Sequence, residues 1–187
     1  EQERMGPVYP MLRSAEGLAG ILNANRISRG SLNFDLPEPE IHFNPQQEAV
    51  DIQPKARHFG HQIVEEFMIA ANEAVAGFLD QKKLPLLYRI HPEPNQDKLE
   101  ALFKHLRKTS LAEHVPEDTD AQSLQRLLEQ VEGTHHEFLV NRLLLRSMMQ
   151  ASYYPRNQGH FGLASPCYSH FTSPIRRYAD LILHRIL

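Results

Sequence analysis

The chain has 187 residues, a formal net charge of −3, a single cysteine and no tryptophan. That length suits one sizeable core rather than several domains, and the lone Cys167 excludes an internal disulfide and fits a reducing, cytoplasmic setting. No stretch approaches the roughly 20 apolar residues of a membrane helix, Glu1-Gln2-Glu3-Arg4 is no signal peptide, and the acidic balance argues against a generally basic surface, although a local basic site can hide in the sum.

Apolar positions at helical spacing (Leu12, Leu18, Ile21, Leu22) predict a helix over residues 8–28, stopped by Arg29-Gly30. Residues 31–36, 41–44 and 49–53 read as short strands punctuated by Pro37, Pro39 and Asn44-Pro45-Gln46-Gln47, the only clear antiparallel signal. Residues 58–81 are apolar around Ile63, Met68, Ala71, Val75 and Leu79 and predict a buried central helix. Within it the adjacent Glu65 and Glu66 are awkward unless one meets water, a donor or a ligand. Residues 86–91 form a strand broken by Pro92-Glu93-Pro94, and Asn95 caps a helix to about residue 108. An acidic, solvated linker over 113–120 precedes helices at 121–130 and 134–150, while Ser152-Tyr153-Tyr154-Pro155 and Phe161-Gly162-Leu163 read as extended pieces. The expected fold is α+β and helix-rich, with the terminal and central helices packed on a small antiparallel sheet.

The most informative stretch is Ser173-Pro174-Ile175-Arg176-Arg177-Tyr178-Ala179-Asp180. Ser173 can cap a helix and Pro174 suits its first position, which places Arg176 and Arg177 in the first turn. Each cation there costs about 0.3–1 kcal/mol against the helix dipole, so a negative partner is expected. Asp180, four residues after Arg176, is one candidate, but such a pair is worth only about 0.2–0.5 kcal/mol and leaves Arg177 unmatched. A phosphate held by the helix N-terminus and an arginine fork accounts for more of the pattern. Histidines are plentiful, with His58 and His61 three apart and His135-His136 adjacent, but their spacing is not that of a zinc site, and no metal ligands are expected in this chain.

The same stretch, extended as His170-Phe171-Thr172-Ser173-Pro174-Ile175-Arg176-Arg177-Tyr178-Ala179-Asp180-Leu181 and His184-Arg185, resembles the signature of RNB-domain exoribonucleases, the ribonuclease II and ribonuclease R family. Further matches lie at Arg29-Gly30-Ser31-Leu32-Asn33-Phe34-Asp35, Ile63-Val64-Glu65-Glu66-Phe67-Met68-Ile69-Ala70-Ala71-Asn72, Tyr88-Arg89-Ile90-His91 and His160-Phe161-Gly162-Leu163. The Ala-Asp pair after the arginines and the Leu-Tyr-Arg-Ile-His stretch lean toward the ribonuclease R side. Residues 1–187 are then expected to be the C-terminal portion of one RNB catalytic domain.

The resemblance implies a Mg²⁺-dependent hydrolase that degrades single-stranded RNA from its 3′ end to nucleoside 5′-monophosphates, with no small-molecule cofactor and no membrane partner. It puts Arg176 at the scissile phosphate, as a fixed bidentate donor that lysine cannot copy, with Arg177 as a simpler positive charge. It makes Phe34 a stacking platform for the last bases and Glu65 a contact to a ribose hydroxyl. His91, His160 and His170 would hold loops or line the RNA path, and Tyr88, Arg89 and Tyr178 could serve either core or channel. The family's aspartate motif is not visible, since Asp35, Glu38 and Glu40 do not match it, so the Mg²⁺ ligands and activity are expected outside this chain. The alternative is a non-catalytic RNA-binding RNB-like module.

Overall fold

The structure, a computed structural model, describes Gly6, Leu36 and residues 8–34, 39–54 and 58–187. Its elements in chain order are α1 (Val8–Ser28), β1 (Pro39–Phe43), β2 (Ala49–Pro54), α2 (Phe59–Gln81), β3 (Tyr88–Ile90), α3 (Gln96–Leu106), α4 (Ala121–Val131), α5 (Glu137–Ser147), β4 (Ser152–Tyr154) and α6 (Tyr178–Ile186), with 3₁₀ turns at Ala112–His114 and Phe161–Leu163. The helix-rich α+β class is as expected. Local signals also set several boundaries: Asn95 accepts the Lys98 N–H at 3.0 Å to start α3, and Asp120 accepts the Ser123 N–H at 3.0 Å to start α4.

The main core lies where the amphipathic helices α3, α4 and α5 meet. Leu99, Leu102, Phe103, Leu106, Leu124, Leu127, Leu128, Val131, Val140 and Leu144 fill it, closed by Leu32 and Leu111. Each such side chain contributes on the order of 1.5–3 kcal/mol when withdrawn from water. The stretch expected to be a solvated linker takes part, because Val115 packs on this cluster.

A second cluster joins Ala76 and Leu79 of α2, Leu183 of α6, and Leu86, Tyr88 and Ile90. Here the terminal and central helices do pack on a small sheet, but it is β3 paired antiparallel with β4, in the register Tyr88↔Tyr154 and Ile90↔Ser152. The sheet signal near residue 50 is instead the hairpin β1–β2, antiparallel with Ile41 opposite Ile52 and exposed along both strands.

Three further expectations are corrected. Residues 31–34 make no strand, because their amides are taken by unrelated partners: Ser31 N–H by Arg26 O, Leu32 N–H by Gly162 O and Asn33 N–H by the Gln125 side chain. Helix α2 is not buried on most faces; α1 and the small sheet cover one stripe, which holds Glu66, Asn72, Ala76 and Leu79, and leave Val64, Phe67 and Met68 exposed. Phe161–Leu163 is a tight turn rather than an extended piece, because His160 Nδ1 accepts the Leu163 N–H at 3.2 Å.

That turn depends on neutral imidazoles. His91 Nδ1 accepts the Gly162 N–H at 2.9 Å, so its Nε2 carries the proton and donates to Met149 O at 2.7 Å. Burial lowers the His91 pKa, and burial with the neighbouring His91 brings His160 down to about 3. An unfolded histidine near 6.5 binds a proton that these two refuse when folded, so stability is complete above that value and is lost as pH falls toward the folded values. Urea midpoints should be level from pH 8 to 7 and decline from about pH 6.5 to 4. A His160→Asn chain should show a shallower decline over that window, and an unchanged slope would refute the assignment.

Gly30 ends α1 with φ of 98°, and an added Cβ would lie 2.7 Å from the backbone nitrogen of Gln122 at the start of α4. Conformation and contact therefore both demand glycine. Gly30→Ala should cost at least ~2 kcal/mol in urea unfolding, whereas Gly17→Ala on the open face of α1 should be neutral or slightly stabilising.

Candidate nucleic-acid interface

The terminal signature folds as a stapled loop followed by a short helix. α6 begins at Tyr178 with Arg177 as its cap residue, in extended conformation (φ −127°, ψ 117°), so neither arginine lies in the first turn as expected. Pro174, Ile175 and Arg176 form a turn closed by the Arg176 and Arg177 amides, both donating to Ser173 O. The physical reason is Asp180, fully buried in the first turn of α6. One carboxylate oxygen accepts the Ser173 N–H at 2.7 Å, and the two together accept Arg177 Nε at 2.9 Å and Nη2 at 2.8 Å. A carboxylate at a helix N-terminus is favourable where two arginines are not. Burial pushes the Asp180 carboxyl up, but the bonds from Arg177 and Ser173 outweigh it and hold the group below its ordinary range.

Asp180 thus neutralises Arg177, not Arg176. Among the described residues Arg176 makes no side-chain ion pair or hydrogen bond, and it projects from the turn into solvent beside the fully exposed Ile175. Tyr178 is 71% exposed at the start of α6.

The segment before the turn is fixed from α2. Asn72 Nδ2 donates to the Tyr168 hydroxyl at 2.9 Å, while its Oδ1 accepts the Phe171 N–H at 2.8 Å and the Thr172 N–H at 3.3 Å. Ser169 donates to Leu87 O at 2.7 Å, and His184 stacks on Phe171 at 4.1 Å while donating to its carbonyl. Arg176 is an exposed side chain on a base anchored by hydrogen bonds.

Beside it runs a tract of rings. His170 Nδ1 lies 2.7 Å from the Tyr153 hydroxyl, and the His170 ring meets Tyr168 edge-on. Arg89 sits 5.0 Å over the Tyr153 ring in a cation–π contact. Burial, then Arg177 and Arg89, bring His170 down to about 4, with Arg176 adding to the effect. The imidazole is neutral at physiological pH, and Arg89 and Arg176 make this face locally basic despite the acidic total. The expected interface residues His170, Arg176, Arg177 and Tyr178 are therefore neighbours in one short stretch.

Phe34 and Glu65 stand elsewhere on the molecule. Phe34 is half-buried against the leucine core, after the irregular segment that replaces the expected strand. Glu65 is partly exposed on α2. Its neighbour Glu66 is the carboxylate tied down: Arg26 donates to it through Nε at 3.2 Å and Nη2 at 2.7 Å, and Asn23 at 2.8 Å. Burial raises the Glu66 pKa, and the bonds from Arg26 and Asn23 more than reverse it. A polar cleft of about 420 Å³ opens here, lined by Asn33, Gln62, Arg26 and Glu66 among others.

Sequence reasoning did not single out Asn72, Arg26 or the Arg89–Tyr153 stack. The available signal was a polar residue on an otherwise apolar helical stripe, as with Asn72 after Ala70-Ala71. Among the described residues no group of three or more His, Cys, Asp or Glu side chains could hold a metal ion, so the described residues do not form a Mg²⁺ site. Asp35 and Glu38 lie outside the described residues, and Glu40 is exposed on the hairpin. No helix among the described residues is long and apolar enough to cross a membrane.

Residues 1–187 match the RNB domain family. Ribonuclease R of Aquifex aeolicus is 45% identical over 176 residues, covering 94% of this chain and 25% of its own length. The chain thus spans about a quarter of the curated relatives it matches. Among solved structures, Mycoplasma genitalium RNase R in complex with ribose methylated single-stranded RNA superposes with a TM-score of 0.89 at 31% identity, over 96% of this chain and 28% of that one. Yeast Ssd1, a pseudonuclease, superposes with a TM-score of 0.61 at 26% identity, over 70% of this chain and 16% of that one. A match along the whole chain, and a fold shared over 96% of it, place this chain in the RNB domain family.

Proposed function

We propose that this chain is the C-terminal portion of the catalytic domain of a cytoplasmic, hydrolytic 3′-to-5′ exoribonuclease that acts on single-stranded RNA and releases nucleoside 5′-monophosphates. The observation that carries the reading is Arg176, a guanidinium without an ion pair among the described residues, on a loop anchored by Asn72 and Asp180. An exposed arginine on a rigid base, with its neighbour neutralised, suits a fixed donor for a phosphate whose charge must be offset as water attacks. Arg177, its charge paired with Asp180, holds the base of the turn beside the strand, and His170 and Tyr178 flank its path.

Phe34 stacks on the terminal bases, worth about 1–3 kcal/mol per base irrespective of its identity, and Glu65 accepts from a ribose hydroxyl. The Mg²⁺ that would generate the attacking hydroxide is expected on ligands outside this chain. The relationship to ribonuclease R and the RNA in the Mycoplasma complex support the substrate class.

A second reading, a module that captures RNA without cleaving it, draws on the likeness to the pseudonuclease Ssd1. The two part in a turnover assay of the full-length protein with 3′-labelled single-stranded RNA and Mg²⁺. The exonuclease reading expects stepwise release of mononucleotides; tight binding without release would favour capture. The 187-residue chain alone should release none, and robust activity would place the metal ligands within it. Arg176→Lys in the full-length protein should lower the single-turnover cleavage rate by about 10²-fold or more while changing RNA affinity less than about threefold. Equal losses in both would make Arg176 a phosphate grip only.

A further inference from the structure

The buried pair Arg26–Glu66 is left unused by the chemistry above, and its bonds run toward the Phe34 segment. Every donor-bearing arm of the Arg26 guanidinium is engaged: Nε and Nη2 on Glu66, and Nη1 on the Ser31 hydroxyl at 2.6 Å. Ser31, fully buried, donates in turn to Gly162 O at 3.3 Å, the same carbonyl that accepts the Leu32 N–H at 2.9 Å. Asn33 N–H goes to the Gln125 side chain at 3.3 Å, and Gly30 is wedged against the α4 backbone. Phe34 is the next residue. It has no strand ladder to hold it, so the bonds of residues 30–33 and its own contact with the leucine core set where its ring stands.

An ion pair this deep costs desolvation, and an apolar pair of similar size would fill the space as well. What an apolar pair cannot do is hold the Ser31 hydroxyl. The adjacent glutamates of α2 therefore differ by helical phase: Glu65 is only partly buried, whereas Glu66 is buried and grips Arg26.

We infer that Glu66, through Arg26 and Ser31, is the positioning residue for the Phe34 stacking platform. The inference rests on the RNA reading above and concerns how that platform is aimed. A platform that drifts still contacts bases, but stacks less often, so the loss appears as weaker capture of the 3′ end rather than as slower chemistry.

The test uses the full-length protein and a single-stranded RNA with 2-aminopurine at its 3′-terminal nucleotide, whose fluorescence falls on stacking. Phe34→Ala should abolish the quench and raise KM about tenfold or more. Glu66→Gln, which keeps the shape but removes the charge on which Arg26 closes, should lose part of the quench and raise KM about three- to tenfold with kcat within twofold. Ser31→Ala cuts the link to the loop without touching the buried pair, and should do the same with little change in melting temperature. In the Phe34→Ala background neither change should raise KM further, because both act through the ring already removed.

Additive losses in that background would overturn the inference while leaving the platform intact, as would a Ser31→Ala protein with full quench and unchanged KM. A Phe34→Ala protein with normal quench and KM would overturn the platform reading itself, and the inference with it. If Glu66→Gln fails to fold, Ser31→Ala alone decides between these outcomes.

Discussion

The amide of Asn72 is the interaction on which the rest of this face depends. Its oxygen accepts two consecutive backbone N–H groups, Phe171 and Thr172, and its NH₂ group donates to Tyr168. An irregular segment packed inside a protein must find partners for its backbone, and this one has no ladder to supply them. One buried side chain does so, and thereby pins the segment that carries His170 on one side and the arginine turn on the other. The other anchor, Asp180, works at the far end of the same turn. Between the two anchors Arg176 is left exposed.

This arrangement separates two arginines that the sequence presents as equals. Arg177 is taken into the protein by a carboxylate with which it forms two hydrogen bonds, and Arg176 is delivered to solvent. The cost of holding a guanidinium close to a helix N-terminus is met by Asp180 rather than by a ligand. A similar division separates Glu66, held by Arg26, from Glu65. In each adjacent pair one member is locked into a buried ion pair.

The face so built is basic in a chain whose total charge is negative. Arg89, Arg176 and Arg177 all act on His170, and burial with that local field keeps its ring neutral. Histidines here are structural acceptors and spacers: His91 and His160 hold the 161–163 turn, which in turn receives Leu32 and Ser31. The turn and the segment before Phe34 are one unit, although more than 120 residues separate them in the chain.

The sequence by itself determined the helix-rich class, the extent of α1, the cap at Asn95, and the family, because periodicity, capping and a long composite signature are written within a few turns of chain. It also marked Arg176 and Arg177 as a pair of which one at least needs a negative partner beyond the helix. Only the tertiary structure decided which arginine that was, where the last helix begins, that residues 31–34 form no strand, and that α2 buries Glu66 and Asn72 while exposing Val64 and Phe67. Each of these turns on a polar group choosing a partner far along the chain, such as Glu66 for Arg26 at a separation of 40 residues or Phe171 for Asn72 at 99. A buried donor or acceptor must be satisfied, and which distant group satisfies it is fixed by packing, which local sequence patterns do not contain.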